Sequence, residues 1–413
     1  MLELKRRNFL KMSAASMSGL LLSGRSAFSV PNLSSDPHLF LMLRTSGGMD
    51  ATLGLDPQVR SPDATESDLF LEYRPEDIIS IADLKLGPTA KPLVPFAKKC
   101  AVLNGLMMRR DAGHDSLIQY MATGKGDGSA AYLPVELAAS FGAGPYGVFF
   151  TEPIYTGSRN VILTTPQDIF NEGEGPRLSQ MLKPLDPNKE KTSLLALALR
   201  NVISGEITAE KLIKTLAEVK KVHPNLSMEI QALLSAFISG ASQQGLLDIA
   251  LEGNLDTHAD HEKVHFDLQT QVWQKVADIF SLFEKTPFHN GSLMDYTTFM
   301  VISEFSRTPF LNGAKGKDHN TDTNSVLLAG KGIQGGKTVG SSRVITAKKS
   351  NTGTPLHIAT AVDITTGLPA ENPKNASFIF PENVIRTVSE IFGNPKGFSA
   401  VDSNIAIIRG LIK

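Results

Sequence analysis

Residues 37–50 read PHLFLMLRTSGGMD. From about His38 to Arg44 the run is apolar and short, and a glycine turn ending at Asp50 closes it, the pattern of a buried strand delivering one carboxylate past its end. Glycines let the backbone bend tightly there, although an Asp in such a turn also serves simply as a turn former. Working outward, CAVLNGL reads as a second buried strand, and YGVFFTEPIY and RNVILTT as further strands broken by proline and glycine. From about Asn188 to Gly240 the pattern turns helical, with amphipathic segments and capping signals at ITAE and NLSME. GLLDIALEGNLDTH returns to a strand opening into a loop. Residues 264–284 then carry Val272, Val276, Ile279, Phe280 and Phe283 on one helical face. YTTFMVISEF and SVLLAGKG close the series as β-rich runs. Strands alternating with helices predict an α/β fold with a mainly parallel sheet and helices on both faces.

The chain has 413 residues, 41% hydrophobic and 20% charged, with a formal net charge of −1. That composition describes a globular protein with no global field for nucleic acid or anionic membranes. The expected organisation is a single domain over 36–413 with a helical insertion at about 188–240. The one cysteine, Cys100, lies in an apolar stretch and reads as core; it excludes an internal disulfide and any cysteine-based metal site. AGKGIQGGKTVG is glycine-rich but lacks the spacing of a nucleotide loop.

The N-terminus, KRRNFLKMSAASMSGLLLSGRSAFS, pairs Arg6 and Arg7 ahead of Phe9, Leu10 and Lys11. It is similar to a twin-arginine export signal, expected to span 1–29, and its apolar stretch is too short and serine-rich for a stable membrane span. The plain alternative is an ordinary basic amphipathic leader.

Four loops that follow predicted strands carry the candidate chemistry: Thr45–Asp50, Asp256–His261, Ser303–Thr308 and Lys317–Asn320. Functional loops of a parallel sheet gather at the carboxyl ends of its strands. LDTHADH offers Asp256, His258, Asp260 and His261, of which one Asp–His pair binds a metal and the other is spare; a solvated helix start capped by Asp256 or Thr257 is the competing reading. Glu304 is a ligand, a general base or the ion-pair partner of Arg307, whose fork suits a planar oxyanion. His114 and Ser116, near a helix start, face substrate or merely cap the helix. Asp318 and His319, in GKDHN, form a metal loop.

RRNFLK, LRTSGGMD, GHDSLIQYMATG, NLDTHADH, SEFSRTPFLNGAKGKDHN and GKGIQGGKTVG together resemble the domain-of-unknown-function family 1501, similar in turn to the alkaline phosphatase and sulfatase superfamily. The resemblance implies an alkaline phosphatase-like fold, Asp50 as ligand to one metal, Asp256 and His258 for a second, and Asp318 and His319 split between them. It implies divalent ions such as Zn, Mn, Mg or Ca, a small anionic ester as substrate, and the export machinery as partner. The expected function is an exported, periplasmic, metal-dependent hydrolase of phosphate or sulfate esters; the alternative is a non-catalytic relative binding an anion or a protein partner. The chain departs from the superfamily plan in offering only Ser46 and Ser116 as nucleophiles, in placing Asn320 after the Asp–His pair, and in having only His357 as a late histidine. For export, replacing Arg6 and Arg7 together by Lys is expected to strand the precursor in the cytoplasm. Normal periplasmic accumulation of the double variant in a fractionation experiment would refute that.

Overall fold

Strand β1, Leu39–Arg44, is buried at every position. Its side chains alternate between two cores: Leu39, Leu41 and Leu43 enter one apolar cluster, Phe40 and Met42 another. A strand reads as unbroken apolar sequence when both its faces are covered. The computed structural model describes residues 36–108, 113–127, 129–142, 144–171, 194–370, 374, 376–398 and 401–413, with the backbone alone for 194–207 and 402. The expected signal segment, 1–29, lies outside the described residues.

The other strands of the main sheet are β2 Cys100–Asn104, β3 Val148–Phe150, β4 Leu163–Thr164, β5 Gln244–Asp248, β6 Thr297–Ile302, β7 Val326–Gly330 and β8 Lys337–Gly340. They lie in the order β8-β2-β7-β6-β1-β5-β3-β4. β1 pairs in parallel with β5 and β6, and β3, β4 and β8 continue the parallel set. Only β7 runs antiparallel to its neighbours β6 and β2. The expected mainly parallel sheet is therefore present.

The helices are α1 His114–Thr123, α2 Leu133–Phe141, α3 Pro166–Asn171, α4 Leu194–Val222, α5 Met228–Ser239, α6 His261–Lys285 and α7 Pro381–Ile391. Leu212 and Leu216 of α4, Leu233 and Phe237 of α5, and the Val272–Phe283 stripe of α6 pack on one face of the sheet. Leu117 and Met121 of α1, Leu133 of α2 and Val384 and Val388 of α7 cover the other. Two helical readings shift. The capping signal at ITAE starts no helix, because α4 runs through it unbroken; the good helix formers on both sides outweigh one interior glycine, about 1 kcal/mol less favourable than Ala. Neither Asp256 nor Thr257 caps α6; Asp260 holds the N-cap position in a left-handed conformation, without a side-chain capping bond.

Because β1, β5 and β6 are parallel neighbours, the loops carrying Asp50, Asp256 and Glu304 leave the same edge. The long connection from β6 to β7 starts and ends at that edge too, because β7 runs back, so Asp318 and His319 join it. The α6 stripe fixes this frame: the Phe280 ring meets Phe96 at 5.6 Å and Phe299 of β6 at 4.8 Å, both edge-on. Phe280→Ala is expected to lower the free energy of unfolding by ~3–5 kcal/mol in urea titrations, and a loss under 1 kcal/mol, by the same scale, would show that α6 does not anchor the sheet.

Candidate metal centre

The loops converge because glycines let them touch. Gly47 and Gly48 both take positive φ, +100° and +69°; a Cβ on Gly47 would lie 2.8 Å from the Asp256 amide nitrogen, and one on Gly48 2.3 Å from the Phe305 ring. The turn after β1 thus passes directly beneath both neighbouring loops. Gly316 allows the second contact: a Cβ there would fall 1.9 Å from the His258 carbonyl carbon. Along that seam the two loops exchange backbone hydrogen bonds, Lys317 N to Thr257 O at 3.0 Å and His261 N to Lys315 O at 2.8 Å. Beyond it Ser306–Arg307 pairs antiparallel with His319–Asn320. Asp256, His258, Asp318 and His319 are thereby brought side by side.

Three imidazoles face one carboxylate. His258 Nε2 lies 3.1 Å from Asp256 Oδ1, His319 Nε2 3.2 Å from the same oxygen, and His114 Nε2 3.4 Å from Oδ2. His258 Nε2 and His319 Nε2 are 3.0 Å apart. Ligand atoms of His114, Asp256 and His319 all lie within 4.8 Å of one another. In a tetrahedral site with metal–ligand bonds of about 2.0–2.1 Å, ligand atoms sit roughly 3.3 Å apart, so these separations suit one small divalent ion. Two of the rings are oriented from behind. Asp318 Oδ1 meets His258 Nδ1 at 2.9 Å, and Glu304 Oε1 meets His114 Nδ1 at 2.6 Å. A carboxylate accepting from Nδ1–H leaves Nε2 to offer its lone pair, the arrangement that orients metal-binding histidines.

The charges are held by buried partners. Burial raises the Asp256 pKa, but the Arg307 guanidinium outweighs it and brings it to about 2. Arg307 itself is fully buried. It donates to Asp256, to the Gly47 and Gly48 carbonyls and to Lys317 O. Its fork is spent inside the protein and does not face solvent. Glu304, also buried, is raised by burial and lowered further by hydrogen bonds from His114, the Gly47 amide and Ser303, with a net pKa below the ordinary value. Glu304 and Arg307, close in sequence and candidates for pairing with each other, take long-range partners instead.

Asp50 stands apart from this group. Its Oδ2 is 2.6 Å from Lys317 Nζ, and both side chains are fully buried. Its Oδ1 caps the short helix Ala51–Leu53 by accepting from Thr52 N at 2.9 Å and Thr52 Oγ1 at 2.6 Å. The implied role of Asp50 as a metal ligand thus meets a lysine already paired with it, a partner 267 residues away in sequence. Asp318 is placed behind His258 rather than among the converging atoms. Ser46 is exposed, and Ser116 donates to the Gly113 carbonyl at 3.0 Å. His114, considered as a substrate-facing or capping residue, turns its Nε2 towards the Asp256 carboxylate. His357 pairs with Ser342 at 2.8 Å. Cys100 is buried in β2, its thiol pushed up to about 12.

Residues 217–372 match the model of a family described as a protein of unknown function, DUF1501. The DUF1501 match contains Asp256, His258, Glu304, Arg307, Asp318 and His319, whereas Asp50 and His114 lie before it. No curated protein matches the chain. Among solved structures, the chain is similar to the PH0037 protein from Pyrococcus horikoshii at 9% identity over 88% of this chain and 99% of that one, with a TM-score of 0.27, too low to define a shared fold.

Beneath the centre lies a neutral layer. Thr257 Oγ1 is 2.7 Å from His261 Nδ1 and 2.9 Å from His265 Nδ1, and the two rings stack at 4.1 Å. Burial pushes His261 down to about 4 and His265 well below its ordinary value. The unfolded chain therefore binds more protons than the folded one between about pH 6.5 and 4, so this stability is complete above pH 6.5 and is lost as pH falls towards 4. For His261 alone the loss is on the order of 3 kcal/mol. Unfolding free energies measured across that window should fall for wild type and fall less steeply in His261→Gln, where His265 still contributes; equal slopes would reject His261 as a source.

Proposed function

We propose that this protein is a metal-dependent hydrolase that works with one divalent ion, held by Asp256, His258 and His319 with His114 facing the fourth position. The observation that carries the reading is the convergence of three imidazole Nε2 atoms on the Asp256 carboxylate at 3.1–3.4 Å, at the edge of the sheet where its parallel strands end. Mixed nitrogen and oxygen donors suit Zn or Mn better than Ca or Mg. The ion supplies Lewis acidity and a lowered pKa for water. The chain supplies the rest. Arg307 keeps Asp256 anionic, Asp318 orients His258, and Glu304 holds the Nδ1 proton of His114 so that His114 Nε2 takes up or returns a proton at the reacting group.

The substrate class, phosphate or sulfate esters, and an alkaline phosphatase-like fold rest on the resemblance of the motif set. Export by the twin-arginine route to the periplasm rests on the N-terminal pattern. A second reading, a non-catalytic relative that binds an anionic ligand or protein partner at the cell envelope, is favoured by two observations. Arg307 spends its donors on buried groups, and Ser116 spends its hydroxyl proton on a backbone carbonyl.

Metal analysis of purified protein, with an aryl phosphate and aryl sulfate panel, tests these readings. Wild type is expected to carry about one ion per chain, with His319→Ala and Asp256→Asn losing it together with turnover. Asp318→Asn, which removes only an orienting group, should weaken metal affinity ~10–100-fold. Stoichiometric metal without turnover on any ester moves the assignment to the non-catalytic reading; equal metal in wild type and all three variants rejects the centre.

A further inference from the structure

We propose that the Lys317 ammonium is a tethered cation standing in a second metal position, lined by Asp50, His261 and the Phe70 carbonyl, and that it keeps this protein to one divalent ion. Lys317 Nζ lies 2.6 Å from Asp50 Oδ2 and 3.3 Å from Phe70 O. His261 Nε2 is 3.3 Å from the same Asp50 oxygen. His261 is fully buried, and its Nε2 has the Asp50 carboxylate as its polar partner. That nitrogen faces a carboxylate oxygen and an ammonium, the surroundings of a cation ligand.

The donor types fit a divalent ion once the ammonium is gone. A carboxylate, an imidazole and a backbone carbonyl form a mixed shell of the kind Zn and Mn accept. One further carboxylate stands within electrostatic reach of Lys317, that of Glu72, whose Oε2 is buried and makes no hydrogen bond. Asp50 and Glu72 together would balance two positive charges, whereas the ammonium balances Asp50 alone. The position is also coupled to the outer centre. Lys317, Asp318 and His319 are consecutive, and the Lys317 carbonyl accepts from Arg307 at 2.9 Å. The same short segment therefore turns one side chain inward as a cation, orients His258 with the next and offers the third, His319, to the ion outside.

The inference rests on the reading of the outer centre only for the count of one, so its test measures a difference. Lys317→Ala, purified in Zn2+ and dialysed, is expected to bind one more equivalent of zinc per chain than wild type, whatever wild type binds. Asp50→Asn added to Lys317→Ala should abolish the extra equivalent. His319→Ala added to Lys317→Ala should leave it, which separates the inner position from the outer one. If Lys317→Ala is unstable without metal, Zn2+ or Mn2+ should restore its folding and raise its melting temperature, whereas the neutral pair Lys317→Met/Asp50→Asn should fold with no added ion. Lys317→Ala that folds with the wild-type metal count overturns the proposal. So does Lys317→Ala that stays unfolded in either metal while the neutral pair folds.

Discussion

One guanidinium holds the site together. Arg307 is fully buried, and its partners come from three separate loops: the glycine turn after β1, Asp256 ahead of α6, and Lys317 in its own return loop. A buried charge is tolerated only when paired and fully hydrogen-bonded. The reverse also holds: loops that complete the shell of a buried Arg cannot drift apart without leaving that charge unmet. The positions of Asp256 and His319 follow from this requirement, and the glycines at 47, 48 and 316 remove the side chains that would keep the loops from closing on it.

Around that cation the polar groups separate into two layers. The outer one carries the Asp256 and Asp318 carboxylates, both held below the ordinary value, and reaches solvent through His258 and Asp318, 46% and 49% exposed. The inner one is closed, with the Asp50–Lys317 pair neutral in sum and the stacked His261 and His265 rings uncharged. Thr257 belongs to both, since its backbone seams the loops together while its hydroxyl holds the two rings. Chemistry at the surface therefore stands on a rigid and electrically quiet support, the condition for holding ligand atoms to within a few tenths of an ångström.

Much of this was legible in sequence, and the failures have a common cause. The unbroken apolar run of β1 and the Val272–Phe283 stripe are local patterns, and both led to the observed elements and faces. The edge at which the loops gather followed from strand–helix alternation. What the sequence could not display was pairing at long range. Glu304 and Arg307 suggest each other by proximity, yet each finds its partner, His114 and Asp256, on another loop. Asp50 carries no local sign that a lysine will claim it, and Lys317 was hidden beside the more conspicuous Asp318 and His319. His114 carried a weak signal, a histidine at a helix start, but its role as a converging ring depends on a glutamate 190 residues away.

The alternation along Lys317, Asp318 and His319 also guards the pairing of the short ribbon into which it leads. Lys317 is fully buried, whereas the Asp318 side chain is 49% exposed. A slip of one residue would exchange inward and outward side chains. Asp318 would then enter the closed layer opposite Asp50, two carboxylates without a counter-ion between them, and Lys317 would be cast into water. A ribbon of two residues has few backbone bonds of its own. This one is kept in step by charge, because the misaligned form is penalised by electrostatic repulsion in the protein interior.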